Sequence, residues 1–327
     1  MSRRSTIYDV ARVAGVSVGT VSRVLNGHPV GAASRAAVQR ALVSTGYVAN
    51  QHARRLAGAR PATVAFLHCV PGDRLLADAN VNTLQLDCRR ALGDEDIMMV
   101  TPVAGGGPSD TAVRALAARL DDPVLVFSAP RDSTAVADLA GRGVPVVSCG
   151  VPLGHERRVS YVTTDDRDGA QQIVSYLRSR GRRRIATITG PMDLPGGVQR
   201  LAGYRDAVGT FDPALVVPGD YTFEGGLAAT RQLLRQAPDL DAIFAASDTM
   251  AAGALAACEQ AGRQVPGDVA VAGFDDAKIA TQTRLTTVRI PWHRYAAQLT
   301  IQLLRRMAGD EPSGVVMPVD LVIRASA

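Results

Sequence analysis

The stretch from Thr6 to Gly27, TIYDVARVAGVSVGTVSRVLNG, constrains the fold more than any other part of this 327-residue chain. Its pattern predicts two short helices joined by a tight turn. Thr6 and Asp9 have the spacing of a capping box, in which each side chain bonds the backbone N–H of the other residue. Gly15 suits a left-handed turn position, and Ser17 can cap the second helix.

Two helices this short need a third helix to pack against, and the following segment supplies it. Apolar residues recur at helical spacing from Ala32 to Thr45, and Gly46 provides a stop signal. Three helices with a glycine turn between the first two form the helix-turn-helix plan, in which the second helix enters the major groove of DNA. The inward face predicted for the third helix consists of Ala33, Ala37, Val38, Ala41 and Leu42.

The charge distribution agrees with a DNA-binding segment at one end. Residues 1–60 contain nine Arg and one acidic residue, Asp9, and so carry a net charge of +8. Since the whole chain carries +5, the remainder carries −3. A basic segment on a mildly acidic body is expected when one end of a protein contacts phosphates.

Composition argues against several other classes. The chain is 46% hydrophobic, enough for more than one core, but it has neither an apolar run long enough to span a membrane nor an apolar signal region. Four scattered cysteines indicate free thiols in a reducing cytoplasm, and five scattered histidines lack metal-ligand spacing. Gly105-Gly106-Gly107 lacks the Lys of a nucleotide P-loop, and no nucleophile elbow occurs. We therefore expect a cytoplasmic protein that is not an enzyme and uses no metal or cofactor.

The stretch at residues 6–27, continued by YVANQHARRLAG at residues 47–58, resembles the N-terminal signature of the lactose-repressor (LacI/GalR) family of bacterial transcription regulators. The resemblance implies a DNA-binding domain at residues 1–49 and a hinge at 50–61 that becomes helical on operator DNA. Leu56 would then wedge open the central base step of the minor groove; the alternative is a core leucine that anchors a linker. The DNA-contacting residues implied are Thr6, Ser17, Val18, Gly19, Thr20, Ser22, Arg23, Asn26, Arg35, Asn50, Ala53, Arg54 and Leu56.

The side chains of the second helix suit contact with DNA. Ser17 and Thr20 can bond phosphates or bases, and Arg23 can bond guanine bidentately. Val18 offers an apolar contact, most naturally to a thymine methyl group. Gly19 either permits close approach to the DNA or is a tolerated small residue, and the sequence leaves both readings open. Because two such domains bind together, we expect a pseudo-palindromic operator.

From Ala62 onwards, short apolar runs alternate with helical stretches, which predicts parallel α/β sheets. Two such series in tandem place a ligand cleft between them, bordered by the carboxyl ends of strands. The predicted strands lie at residues 64–67, 97–100, 124–127, 144–147, 185–188, 242–245 and 269–272. The predicted helices lie at residues 111–120, 133–142, 168–180, 197–208, 223–236 and 250–261.

Residues 160–327 also resemble the effector-binding core of the LacI/GalR family, for example in AIFAASDTMAAGALAACEQAGRQVPGDVAVAGFDDAKIA. The implied fold is that of periplasmic binding proteins, with two doubly wound parallel-sheet subdomains joined by three crossovers and carrying the all-α helix-turn-helix head. The first subdomain would comprise residues of about 62–162 and 291–318, and the second about 163–290 and 319–327.

The same resemblance implies four effector contacts. These are Arg200, Tyr221, Ser247 and Asp275, and the effector would be a sugar or a related metabolite. An Arg can bond two oxygens, a carboxylate accepts hydroxyl groups, and an aromatic face covers C–H groups. The neighbouring Asp248 and Asp276 can instead cap helices or brace loops.

The first half of the core departs from the family pattern. After the first strand the chain has His68-Cys69-Val70-Pro71-Gly72-Asp73 in place of a polar-aromatic loop. Gly150 stands where many relatives place an Asp that holds sugar hydroxyls. Half of the expected sugar pocket therefore has residues that differ from the family pattern, which allows an unusual effector or none.

These observations favour a homodimeric repressor whose affinity for the operator changes when a small molecule binds in the cleft. One alternative is an activating or effector-independent regulator with a degenerate pocket. A second alternative is a ligand-binding transport-type protein, against which the basic head and the missing signal region count. No heptad tail follows Ile323-Arg324, so we expect a dimer rather than a tetramer.

Overall fold

The computed structural model describes residues 6–25, 28–45, 63–69, 79–93, 95, 97–101, 110–127, 129–131 and 133–327. The chain divides into two compact units, Met1–Ala62 and Thr63–Ala327. The first unit is called the head and the second the core. Within the described residues, no helix is long and apolar enough to cross a membrane.

The described part of the head consists of three helices, α1 (Ile7–Ala14), α2 (Val18–Leu25) and α3 (Ala32–Thr45). The predicted capping box is present: the backbone N–H of Thr6 donates to the Asp9 carboxylate at 2.9 Å, and the Asp9 N–H donates to the Thr6 hydroxyl at 3.4 Å. Gly15 ends α1 with a φ of 65°, a left-handed conformation that a Cβ atom disfavours. The helix-turn-helix prediction is confirmed.

A small apolar cluster holds the three helices together. Val10, Val21 and Val38 contribute one fully buried side chain from each helix. The prediction that Ala33 belongs to the inward face of α3 is wrong, because Ala33 is exposed. It lies one turn ahead of Ala37, and the buried part of α3 begins only at Val38.

The core contains a six-stranded parallel sheet and a four-stranded parallel sheet. The strands of the first sheet are β1 (Thr63–His68), β2 (Met98–Val100), β3 (Val124–Phe127), β4 (Val146–Cys149), β5 (Ser160–Thr164) and β11 (Gly314–Met317). Those of the second are β6 (Ile185–Thr189), β7 (Val216–Pro218), β8 (Ala242–Ala245) and β9 (Ala270–Ala272). The first sheet has the strand order β11-β5-β4-β3-β1-β2 and the second the order β7-β6-β8-β9.

Helices cover both faces of the two sheets, so the central strands are buried on each side and read as continuous apolar runs. These helices are α4 (Ala79–Gly93), α5 (Asp110–Ala117), α6 (Thr134–Gly141), α7 (Asp166–Ser179), α8 (Pro195–Ala207), α9 (Phe223–Gln236), α10 (Asp248–Gln260), α11 (Lys278–Gln282) and α12 (Trp292–Ala308). A short 3-10 helix spans Pro213–Leu215. The predicted α/β fold class is confirmed.

The chain passes between the sheet regions three times. It leaves the first sheet after β5, which runs to Thr164, past the boundary expected near residue 162. It returns through α12, which packs on α4, and on to β11. It then leaves again to form β12 (Asp320–Val322), which pairs in antiparallel fashion with β10 (Thr287–Arg289).

One predicted strand is displaced in the structure. The run at residues 144–147 is expected to be a strand, but β4 begins at Val146 and continues to Cys149. Gly143 forms a turn with a φ of 72°, and Pro145 lacks a backbone N–H, so regular pairing starts only after the proline.

His68 ends β1 as a buried polar residue among aromatic rings. Its ring centroid lies 5.0 Å from that of Phe66 and 5.6 Å from that of Phe127. The Gln85 amide oxygen accepts from Thr101, so its nitrogen donates to His68 Nε2 at 2.8 Å. Burial lowers the pKa of His68 to about 4, and the imidazole is therefore neutral at physiological pH.

This burial predicts an acid-sensitive component of core stability. An unfolded His has a pKa of about 6.5, so the unfolded state takes up a proton before the folded state does as the pH falls. The stabilisation is complete above the unfolded pKa and is lost as the pH falls towards the folded value of about 4. The loss should reach about 3 kcal/mol in the free energy of unfolding.

Urea unfolding of the wild type and His68→Gln, followed by circular dichroism between about pH 7 and pH 4, measures this component. The pH dependence should be shallower in His68→Gln, whatever its absolute stability. The same substitution at the exposed His293 is the control. Equal pH slopes in the wild type and His68→Gln would contradict the assignment.

Candidate functional site

A cavity of about 470 Å³ lies between the two sheets of the core, a volume within the range of about 300–1,000 Å³ typical of small-molecule sites. Residues at or just beyond the carboxyl ends of strands line it, which is where ligands bind to open α/β sheets. From the first sheet these are Phe127, Cys149, Gly150, Thr163 and Thr164. From the second they are Pro191, Asp220, Ser247 and Asp275.

Arg200 on α8 is the centre of the polar side of this cavity. Its Nη1 donates to the carbonyl oxygen of Ala246 at 2.6 Å and to Oδ1 of Asp275 at 3.2 Å. Its Nη2 donates to Oδ1 of Asp166 at 3.4 Å. The guanidinium carbon lies 3.8 Å from the centre of the Phe274 ring. One side chain thus joins the start of α7 to the ends of β8 and β9.

The electrostatics of this cluster favour the charged guanidinium. Burial opposes the charge, but the carboxylates of Asp166 and Asp275 outweigh it and raise the pKa of Arg200. The three side chains are each 9% exposed, so the ion pairs are screened weakly by solvent. The Nε atom of Arg200 is buried and has no hydrogen-bond partner among the residues that the structure describes.

Tyr221 lies beside Arg200 in an unusual backbone conformation. Its φ of 66° places it in the left-handed region, as does the φ of 115° at Asp275. Strained backbone of this kind clusters at ligand-binding sites. The phenol occupies space that Gly190 leaves open, because a Cβ atom at position 190 would overlap the Tyr221 hydroxyl. Burial raises the pKa of Tyr221.

Ser247, the fourth predicted effector residue, lines the cavity and also caps α10. Its hydroxyl accepts the N–H of Met250 at 3.2 Å. All four predicted residues, Arg200, Tyr221, Ser247 and Asp275, therefore surround the same cavity.

Asp248 and Asp276 brace the loops around the cavity. Asp248 is fully buried and accepts from the N–H of Ala277 at 2.7 Å and the hydroxyl of Thr287 at 2.5 Å. Burial raises the pKa of Asp248 to about 7. Asp276 pairs with Arg289 at 2.7 Å and Arg324 at 2.6 Å.

The cavity also receives an apolar part of its lining from the first sheet and α12. Phe127, Cys149 and Trp292 line it together with Gly150. The φ of Gly150 is 91°, and its N–H lies 2.9 Å from the hydroxyl of Tyr295 on α12. A left-handed backbone disfavours a residue with a Cβ atom here, which is a physical reason for glycine at this position.

In the head, α2 presents several of the predicted DNA-contacting residues. Ser17, Gly19 and Arg23 are exposed, as are Thr6 and Arg35 on the neighbouring elements. The Ser17 hydroxyl accepts the N–H of Thr20 at 3.1 Å, so it caps α2 as predicted. Thr20 and Ser22 are partly exposed.

Val18 and Gly19 differ in what the head itself requires of them. Val18 is half-buried and packs against the apolar cluster of the head, which leaves only part of its side chain for DNA. At Gly19 a Cβ atom would meet only the Ser17 hydroxyl oxygen, at an ordinary 3.7 Å. Packing within the described head therefore gives no reason for glycine there. The predicted contacts Asn26, Asn50, Ala53, Arg54 and Leu56 lie outside the described residues.

Among the side chains that line the cavity, Asp166, Phe127 and Trp292 are not predicted from the sequence. Asp166 lies two residues after the end of β5 and Phe127 ends β3. Ligands bind at the carboxyl ends of parallel strands, and this rule is a signal that could have identified both residues. Within the described residues, no group of three or more His, Cys, Asp or Glu is arranged to hold a metal ion.

Comparison with protein families gives two matches. Residues 6–50 match the model described as bacterial regulatory proteins, lacI family, and residues 174–327 match the periplasmic binding protein-like domain. The HTH-type transcriptional regulator CelR of Thermobifida fusca is 40% identical over 335 residues, covering 99% of this chain and 98% of that protein.

Two solved structures are similar over nearly the whole chain. A CelR–cellobiose complex superimposes with a TM-score of 0.77 at 39% identity, covering 99% of this chain and 100% of that chain. The lac repressor dimer bound to operator and the anti-inducer ONPF gives a TM-score of 0.79 at 25% identity, covering 99% of each chain.

From the buried ion pairs of Arg200 we predict a loss of stability when this residue is replaced. Replacing Arg200 by Gln leaves two adjacent buried carboxylates without their counter-charge, which should lower the free energy of unfolding by about 3 kcal/mol. The matched control is Arg167→Gln, which breaks the solvent-exposed pair with Asp206 and should change the free energy of unfolding far less, because water screens that pair. Urea unfolding of both variants measures the difference, and equal losses would contradict a dominant role for the buried cluster.

Proposed function

The chain belongs to the lacI family of bacterial regulatory proteins, and from this premise we propose that it is a homodimeric repressor of transcription. Two copies of the head bind the half-sites of a pseudo-palindromic operator. A small molecule that binds in the cavity of the core changes the affinity for that operator. The relatives are transcription regulators, and the chain is accordingly a regulator rather than an enzyme.

Binding to DNA is supported by the shape and charge of the head. The helix α2 and its capping residue expose Ser17 and Gly19 at the N-terminal end and Arg23 in the last turn, and helices of this size fit the major groove. The net charge of +8 over residues 1–60 supplies phosphate contacts. We propose that Arg23 reads a base edge and that Arg35 contacts a phosphate.

The observation that carries the effector proposal is the convergence of Arg200, Tyr221, Ser247 and Asp275 on one cavity of about 470 Å³. The lining combines hydrogen-bonding groups with aromatic rings, which suits a sugar, because its hydroxyl groups and C–H faces need both. A cavity of this size favours an effector-responsive regulator over one with a degenerate pocket.

Two similar proteins suggest the partners in more detail. The CelR structure holds cellobiose, so we propose a disaccharide of this kind as the effector class. The lac repressor binds its operator as a dimer, so we propose the same arrangement here. The hinge and the Leu56 wedge remain proposals that rest on the sequence.

Selection of duplexes from a random DNA pool tests the function. The purified protein should enrich a pseudo-palindrome, because two identical heads bind two half-sites. Arg23→Gln should lose about 1–3 kcal/mol on the selected site and accept more bases at one position of each half-site. Arg35→Gln should weaken binding to all DNA sequences alike. It should also reduce the slope of log affinity against log salt concentration by about 1, as the loss of one phosphate contact requires.

The two variants carry the same change of charge, so they control for each other. A pool without enrichment would contradict sequence-specific binding. Equal relaxation of base preference in both variants would contradict the roles given to Arg23 and Arg35.

A further inference from the structure

We infer that the cavity of the core selects uncharged ligands and rejects anionic ones, such as phosphorylated sugars and sugar acids, and that Asp166 sets this preference. The inference deepens the proposed function and rests on it, since it concerns the chemical class of the effector.

The first observation is the charge of the cavity wall. Among the described residues that line it, four carry carboxylates and one, Arg200, carries a permanent positive charge. The four acidic residues are Asp166, Asp220, Glu224 and Asp275. In a partly desolvated cleft, like charges repel more strongly than in water. A phosphate or carboxylate group would therefore enter a region of net negative charge.

The second observation is that the guanidinium of Arg200 is already neutralised. Two carboxylates, from Asp166 and Asp275, lie within 3.4 Å of its terminal nitrogens, and the carbonyl of Ala246 takes a further N–H. An arginine that binds an anionic ligand bidentately needs two free parallel N–H groups. These contacts take three of the five N–H groups of Arg200. Of the two that are left, the one on Nε is buried, so a ligand in the cavity can reach at most the one on Nη2.

The third observation is the orientation of Asp166. Its Oδ1 accepts the hydroxyl of Thr164 at 2.8 Å and the Arg200 Nη2 at 3.4 Å. Its Oδ2 has no hydrogen-bond partner among the described residues and lies 3.5 Å from the point where a Cβ atom of Gly196 would be. Both residues line the cavity. Oδ2 can therefore accept a ligand hydroxyl, whereas a phosphate oxygen at the same place would be repelled.

The geometry of Asp166 makes it the residue that sets the preference for uncharged over anionic ligands. Asp275 neutralises the same guanidinium, but Asp166 adds an acceptor oxygen near Gly196 in the first turn of α8, and nothing in the described part of the chain bonds that oxygen. Removing the charge of Asp166 leaves Arg200 with one carboxylate instead of two and removes the repelling oxygen. A single change should thus weaken the binding of a neutral sugar and strengthen that of an anion.

The test uses three probes with the full-length protein: cellobiose, cellobiose 6-phosphate and inorganic phosphate. Calorimetric titration compares the wild type with Asp166→Asn, in which the amide keeps one acceptor oxygen for Thr164. Asp206→Asn is the control, because it removes an equal charge from an exposed pair away from the cavity. Glu224→Gln is a second variant, an exposed residue of the cavity wall whose replacement leaves the buried cluster intact.

The wild type and the control should bind cellobiose at least about tenfold more tightly than its phosphate. Asp166→Asn should shift the ratio of the two affinities by at least about tenfold in favour of the phosphate, and Glu224→Gln should shift it in the same direction by a smaller factor. Tighter binding of the phosphorylated sugar by the wild type would overturn the inference. An unchanged ratio of the two affinities in both Asp166→Asn and Glu224→Gln would overturn it as well.

Inorganic phosphate separates this inference from the sugar proposal. If neither sugar binds, a disaccharide effector of this type is wrong, but the charge preference is still measured. Asp166→Asn should then bind phosphate in the core more tightly than Asp206→Asn does, and this difference excludes phosphate bound elsewhere on the chain. Equal phosphate binding by the two variants would overturn the role of Asp166.

Discussion

The core of this regulator depends on one buried cross-link, the guanidinium of Arg200 between the carboxylates of Asp166 and Asp275. It ties the first turn of α7, which follows the first sheet, to the loops after β8 and β9 in the second. Because both carboxylates are buried, neither can lose its partner without a large penalty. The cross-link therefore fixes the position of the polar wall and also neutralises the positive charge that Arg200 brings to it.

The topology explains why this wall faces a cavity. Both sheets are parallel, so the carboxyl ends of each lie at one of its edges, and residues from both of these edges line the cavity. Three chain passages connect the sheet regions. A ligand that contacts Thr164 and Phe127 on one side and Tyr221 and Asp275 on the other interacts with both sheets at once. Its binding energy then depends on the angle between them, which is the physical requirement for a ligand to shift a conformational equilibrium.

Much of this arrangement is predictable from the sequence, and the misses have physical causes. The head follows from local signals, since Thr6, Asp9 and Gly15 act within a few residues of one another. The strands that are buried on both faces, such as Val124–Phe127, are recognised by their apolar runs. In contrast, β5 carries Ser160 and Thr163 and has no such run, because it is held by pairing with β4 and the distant β11. The role of Asp166 depends on a contact with Arg200 that no local pattern encodes.

The proposed mechanism requires reciprocal coupling between the operator site of the head and the effector site of the core, and calorimetry can measure this coupling directly. The affinity for cellobiose would be determined on the free protein and again on the protein saturated with its selected operator. Thermodynamic linkage requires that an effector that releases DNA binds more weakly when DNA is present, by the same factor by which it weakens DNA binding. We expect such a reduction. Equal affinity for cellobiose with and without operator would contradict an effector-controlled repressor that responds to this sugar.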